Sequence, residues 1–255
     1  MSMIIHAFPC RDDNYGVLIH EPGSGLTALI DAPEEDAILA AIGETGWTPS
    51  LILTTHWHGD HVEANLALKQ RFDLTIVGPG AEAAKIPGID RGVSDGDLVE
   101  FGKETAHVIA TPGHTAGHVV YHFPASGVLF AGDTLFSLGC GRLFEAGAEA
   151  MQPALARLAA LPGNTRVWCG HEYTAANVRF ALTIDPDNPA LRARAMEVAA
   201  LREAGKPTLP TTIAAELAAN PFLRWGDPAI RRGLGMEHAT DAEVFGEIRR
   251  RKDVF

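Results

Sequence analysis

Along the first two-thirds of the chain, short runs of β-branched and aliphatic residues are broken every few positions by Gly, Pro or Asp. This pattern predicts strands over residues 3–7, 16–20, 27–31, 51–54, 74–77, 106–110, 118–123, 128–131 and 167–169. Apolar residues at helical spacing interleave at 35–44, 61–72 and 149–161. Many strands with a few intervening helices imply an α/β class, with sheets covered by helices. After about residue 170 the texture changes. Helical patterns run over 175–184, 189–204, 211–219 and 241–250, separated by Asp185-Pro186, Gly205-Lys206-Pro207 and Asn220-Pro221. No strand-like run is expected there. Residues 1–172 therefore read as one domain and 173–255 as a smaller, all-helical one.

Composition narrows the function. A chain of 255 residues, 46% hydrophobic and 21% charged, buries a real core and is not disordered. Its net charge of −11 argues against nucleic acid or an anionic membrane as partner, because the long-range field repels phosphate. Three widely spaced cysteines, Cys10, Cys140 and Cys169, cannot complete a disulfide framework, which points to the cytoplasm. The opening residues reach His6, Cys10 and charged positions too soon for the apolar core of a secretion signal. No stretch of 18 apolar residues exists to span a membrane.

The histidines are clustered. Three of them fall with an aspartate in six positions, His56-x-His58-x-Asp60-His61, directly after the apolar run 51–53. Imidazole and carboxylate donors on one loop and the helix start behind it suit zinc, iron or manganese. Further ligand-type residues follow other predicted strands through glycine-containing turns: His114 after 106–110, Asp133 after 128–131 and His171 after 167–169. Each alone is weak. Together, at successive strand ends, they predict one site on one sheet edge.

This HxHxDH…H…D…H order resembles the metallo-β-lactamase superfamily. The resemblance implies an αββα sandwich with a two-metal site: His56, His58, His114 and Asp133 on the first metal, Asp60, His61, His171 and Asp133 on the second. Two divalent ions are then expected, zinc foremost, with iron or manganese as alternatives. Three further stretches, 132–145, 169–174 and 249–255, look like glyoxalase II (hydroxyacylglutathione hydrolase), and the helical C-terminal domain is similar to that family's. The likeness implies hydrolysis of an S-(2-hydroxyacyl)glutathione such as S-lactoylglutathione, the second step of methylglyoxal detoxification. It implies that Asp60 and Asp133 orient a metal-bridging hydroxide. It also implies that Arg142, Tyr173, Arg249 and Lys252 hold glutathione, with Phe144 standing where many members have a hydrogen-bonding tyrosine. The expected partner is a small-molecule glutathione thioester taken by a monomer, with neither nucleic acid nor membrane.

Plainer readings compete for several of these residues. The run 249–252 could be a solvated helix end, where cations favour the C-terminal dipole. Tyr173 could be a packing residue, and His118 and Asp31 supports rather than ligands. Two rival functions are another activity of the superfamily, such as persulfide dioxygenation on a single iron, and a metal-binding scaffold without catalysis. The charge is not uniform: residues 230–255 hold six Lys+Arg and five Asp+Glu, net +1, leaving −12 on the rest. An anionic ligand would meet local positive charge at the metals and the tail.

Overall fold

In the computed structural model, residues 3–255 are described and fall into two compact units. The first comprises the chain up to Ala110 together with Thr115–Gly132. It contains β1 (Ile4–Cys10), β2 (Asn14–Glu21), β3 (Leu26–Ile30), α1 (Glu35–Thr45), β4 (Leu51–Leu53), α2 (Gly59–Val62), α3 (Asn65–Phe72), β5 (Thr75–Pro79), β6 (Arg91–Val93), β7 (Leu98–Phe101), β8 (Glu104–Ala110), β9 (Val119–Phe123) and β10 (Val128–Gly132). Strands β1 to β6 lie in sequence order in one sheet, antiparallel through β3 and parallel from there to β6. Strands β7 to β10 form an antiparallel meander.

The apolar runs explain this order. Ile52 and Leu53 in β4 and Ile76 and Val77 in β5 are fully or almost fully buried, as parallel strands covered on both faces require. Leu29, Ile52 and Ile76 pack with Ile38 and Ala41 of α1 and Leu68 of α3. On the opposite face the Tyr121 hydroxyl of β9 donates to the carbonyl of Thr54 at 2.8 Å, tying the meander to the end of β4.

The helix expected over 61–72 is two helices. The amide of Ala32 donates to the His61 carbonyl at 2.8 Å, and the Ala64 amide to the Ala32 carbonyl at 3.0 Å. These bonds divert the backbone groups that would continue a helical turn, so α2 ends and α3 restarts. Strands β6 and β7 were not expected; both are short, and β7 leaves Leu98 and Glu100 exposed.

The second unit comprises Thr111–His114 and Asp133–Phe255. It holds β11 (Leu135–Phe136), β12 (Gly139–Cys140), α4 (Ala148–Ala159), β13 (Arg166–Cys169), α5 (Thr174–Ile184), α6 (Pro189–Glu203), β14 (Thr211–Thr212), α7 (Ile213–Ala219), α8 (Pro228–Leu234) and α9 (Asp241–Asp253). Asn188 caps α6 by accepting from the amides of Ala190 and Leu191, with Pro189 opening the helix. Thr240 and Glu243 close a reciprocal capping box on α9. Leu138, Val178, Ala181, Leu191 and Ala219 form one core, and the Phe180, Phe222, Phe245 and Trp225 rings stack and meet edge-on beside it.

The division by packing differs from the division by sequence texture at 172/173. Residues 133–172 group with the helices because α4 packs on α7 and α9, and β12 on α5. The tail segment is helical apart from β14, whose Thr211 and Thr212 pair with Val167 and Arg166 of β13. Helical spacing over 211–219 concealed those two strand residues, and α8 buries only Ile230, so it carries no apolar period.

Candidate metal centre and substrate cavity

In the first unit the HxHxDH loop leaves β4 and is gripped by one carboxylate. Asp31, at the end of β3 with φ 56, accepts the Thr55 amide at 2.7 Å and the Thr55 hydroxyl at 2.8 Å. Its Oδ2 also lies 2.8 Å from Nδ1 of His61. A carboxylate accepts, so His61 donates from Nδ1 and carries its lone pair on Nε2, 3.5 Å from Asp60 Oδ2. The same logic passes through Thr55. Its hydroxyl proton goes to Asp31, so its oxygen accepts from His56 Nδ1 at 3.0 Å. That leaves the lone pair of His56 on Nε2, 3.1 Å from Nδ1 of His58.

Other contacts hold the loop in place. Asn14 Nδ2 donates to the carbonyl and to Oδ2 of Asp60, both at 3.1 Å. Glu82, buried, accepts the Trp57 amide at 3.2 Å and the Gly117 amide at 2.8 Å. His118 stacks on His56 with ring centroids 4.8 Å apart. Gly132, at φ +46, closes β10 where a Cβ would come within 2.6 Å of the Thr55 hydroxyl and 2.8 Å of His118 Nε2, so no side chain fits there.

In the second unit His114, Asp133 and His171 are all buried. Nε2 of His114 and Nε2 of His171 each lie 3.3 Å from the same carboxylate oxygen, Asp133 Oδ2. His114 donates from Nδ1 to the Arg142 carbonyl at 3.0 Å, which again aims Nε2 at the carboxylate. At Gly141 a Cβ would sit 1.9 Å from the Asp133 carbonyl, so glycine is obligatory there. The donors in both units are imidazole nitrogens and carboxylate oxygens. The thiols do not compete: burial pushes Cys140 up to about 11 and Cys169 up to about 12, keeping both protonated. Such a donor set fits a borderline divalent metal.

Also in the second unit, a cavity of about 320 Å³ is lined by Phe136, Cys140, Arg142, Tyr173, Arg249 and Lys252. Tyr173 stacks flat on His171, centroids 4.7 Å apart and planes 2° from parallel. Arg249, buried, donates to the Cys140 carbonyl at 3.0 Å and pairs with Asp253 at 2.9 Å. Arg142 reaches the same Asp253 oxygen at 3.4 Å. Lys252 donates to the Ala176 carbonyl at 3.3 Å; burial, and then the nearby Arg249 and Arg179, bring its ammonium down to about 8. A larger cleft of about 530 Å³ in the first unit is bordered by Arg11, Glu34, Glu35 and Glu63, and contains no candidate ligand.

The family models cover nearly the whole chain: residues 12–171 match the metallo-beta-lactamase superfamily and residues 172–255 match the hydroxyacylglutathione hydrolase C-terminus. A hydroxyacylglutathione hydrolase of Mesorhizobium japonicum is 66% identical over the full length of both chains, and one of a Chelativorans species is 59% identical, again over both full lengths. The chain belongs to the hydroxyacylglutathione hydrolase family. Its fold is the metallo-β-lactamase fold carrying that family's helical C-terminal domain. Among solved structures it is similar to ETHE1 from Myxococcus xanthus, with a TM-score of 0.69 and 27% identity over 97% of this chain and 90% of that one. TTHA1623 in a di-iron-bound form gives a TM-score of 0.62 at 26% identity, over 86% of this chain and all of that one.

Four of the five residues that the family likeness allotted to glutathione line the one cavity; Phe144 does not. It lies exposed, edge-on to His114 at 5.3 Å and 5.7 Å from the Arg142 guanidinium carbon. Sequence reasoning overlooked Asn14, Glu82 and Asp253. The first two act through partners 25 or more residues away, which leaves no local signature. Asp253 was legible as an acid four residues after Arg249 on one helix face. Among the described residues no helix is long and apolar enough to cross a membrane.

Proposed function

We propose that this chain is a metal-dependent thioesterase that hydrolyses S-(2-hydroxyacyl)glutathione, such as S-lactoylglutathione, to a 2-hydroxy acid and glutathione. The observation that carries the reading is the cavity walled by Arg142, Tyr173, Arg249 and Lys252 in a chain whose relatives match it from end to end. Glutathione presents two carboxylates and an amide backbone, and this wall offers two guanidiniums, an ammonium and a phenol hydroxyl. Residues 1–172 act as the catalytic domain and 173–255 as the substrate-binding domain.

We assign His56, His58, His114 and Asp133 to one metal and Asp60, His61, His171 and Asp133 to a second. The ring orientations set by Asp31, Thr55 and the Arg142 carbonyl support this, since each aims Nε2 away from its hydrogen-bond partner. Zinc is the metal of choice, with iron or manganese accepted by the same donors. Two divalent ions, when bound, supply an ionisable water at neutral pH and a Lewis acid for the thioester carbonyl. Asp60 and Asp133 accept hydrogen bonds from the attacking water and fix its direction. Arg249 and Lys252 anchor the glutathione end, and Arg142 and Tyr173 orient it, so that the thioester is presented in one pose. The departing thiolate, with a conjugate pKa of about 8.5, leaves without a dedicated acid. The protein acts in the cytoplasm, in keeping with three buried, unbridged cysteines, and takes its substrate as a monomer.

The test is turnover of S-lactoylglutathione with metal content measured on the same sample. Hydrolysis that survives complete metal removal overturns the reading, and a single iron per chain favours persulfide dioxygenation instead.

A further inference from the structure

The turn linking β11 to β12 carries a set of buried polar contacts that metal binding does not require. Leu138 is buried there with φ 58, a left-handed conformation that a leucine rarely adopts. Its amide is shut off from water and donates at 2.7 Å to Oε2 of Glu216, on α7. Asn220, one turn further along, donates from Nδ2 to the same Oε2 at 2.9 Å and to the Gly139 carbonyl at 3.0 Å. Asn177 of α5 donates to the Ser137 carbonyl at 3.1 Å. The Thr211 hydroxyl donates to the second Glu216 oxygen at 2.6 Å. A carboxylate that is 1% exposed is costly to bury, and burial raises the pKa of Glu216. Apolar packing would hold α7 in place more cheaply, yet would leave the Leu138 amide without an acceptor.

The residues that flank this turn reach the ligand cavity. Phe136 and Cys140, at its two ends, line the cavity together with Asn177, and Arg249 takes its position from the Cys140 carbonyl. A Cβ on Gly139 would lie 2.5 Å from Asn177 Nδ2, so Asn177 packs directly on the turn.

We propose that Glu216 is a positioning residue for substrate binding: by capturing the Leu138 amide it locks the 136–139 turn in the shape that forms one wall of the glutathione cavity and seats Arg249. The proposal rests on the reading that this cavity takes the glutathione moiety. The lock acts on affinity and leaves the ligand cluster His114, Asp133 and His171 intact.

The experiment is steady-state kinetics of S-lactoylglutathione on the full chain, comparing wild type, Glu216→Ala and Glu216→Gln with metal content recorded. Glu216→Ala is expected to raise KM about tenfold, with kcat within about twofold and metal content unchanged. Glu216→Gln is expected to return KM close to wild type, because its amide oxygen still accepts from Leu138 and its amide nitrogen donates to Thr211 Oγ1. KM does not depend on how many molecules are folded. A merely structural role would lower the melting temperature and the active fraction and leave KM unchanged, and that result overturns the proposal. If Glu216→Ala does not fold, Asn220→Ala takes its place under the same criterion, with KM expected to rise severalfold. A wild-type chain that does not turn over S-lactoylglutathione refutes the parent reading; turnover with unchanged KM in the variants refutes the lock alone.

Discussion

Asp31→Asn is the most revealing single change, because it is nearly isosteric, removes one negative charge and turns an acceptor into a donor. The Asp31 carboxylate now takes three hydrogen bonds, from the Thr55 amide at 2.7 Å, the Thr55 hydroxyl at 2.8 Å and His61 Nδ1 at 2.8 Å. With asparagine, the amide oxygen keeps the Thr55 amide, and Nδ2 donates where Oδ2 accepted. His61 then has to accept at Nδ1 and carry its proton on Nε2. Thr55 turns its hydroxyl proton towards His56 Nδ1, 3.0 Å away, and His56 follows into the same tautomer. Both rings thus place N–H where a metal ligand needs a lone pair. The folded apoprotein should lose only about 1–3 kcal/mol, the cost of one mismatched buried hydrogen bond. Zinc affinity should fall about 10- to 100-fold, the usual effect of removing a partner that orients a ligand. In free energy that is about 1.4–2.7 kcal/mol. Competition titration of apoprotein against a chromophoric chelator measures the affinity, and nitrogen NMR of the histidine rings reads the tautomers. Wild-type zinc affinity in Asp31→Asn would refute the reasoning.

Other outcomes follow from the same geometry. Lys252 holds its charge only below about 8, so kcat/KM should decline as pH rises through that value, and Lys252→Arg should move the decline upward; a pH–rate profile tests this. Lys252→Ala combined with Arg249→Ala should raise KM far more than it lowers kcat, because both side chains bind a part of the substrate that does not react. Chelation should abolish hydrolysis and lower the melting temperature, and added zinc should restore both, by preferential binding to the folded state. Phe245, fully buried and edge-on to Phe222 at 6.1 Å, should cost about 3–5 kcal/mol when cut to alanine, measured by denaturant unfolding.

What could be read without coordinates was whatever depends on near neighbours in the chain. The apolar run ahead of Thr54 marked a buried strand, and three histidines with an aspartate in six positions marked metal chemistry, because side-chain type alone sets ligand hardness. The change from strand texture to helical spacing after residue 170 marked the C-terminal region, because apolar periodicity records which face is buried. The split between α2 and α3 was illegible, since it arises from Ala32, about 30 positions upstream, taking up the backbone groups of His61 and Ala64. So were Asn14 and Glu82 as supports of the HxHxDH loop, and Glu216 behind the left-handed Leu138, 78 residues away. Those contacts are hydrogen bonds between residues remote in sequence, and a buried donor donates to whatever acceptor the fold brings to it. The amino-acid sequence by itself therefore determined which chemistry the chain offers. The tertiary structure decided which nitrogen of each ring faces the carboxylates, and how the substrate cavity is walled.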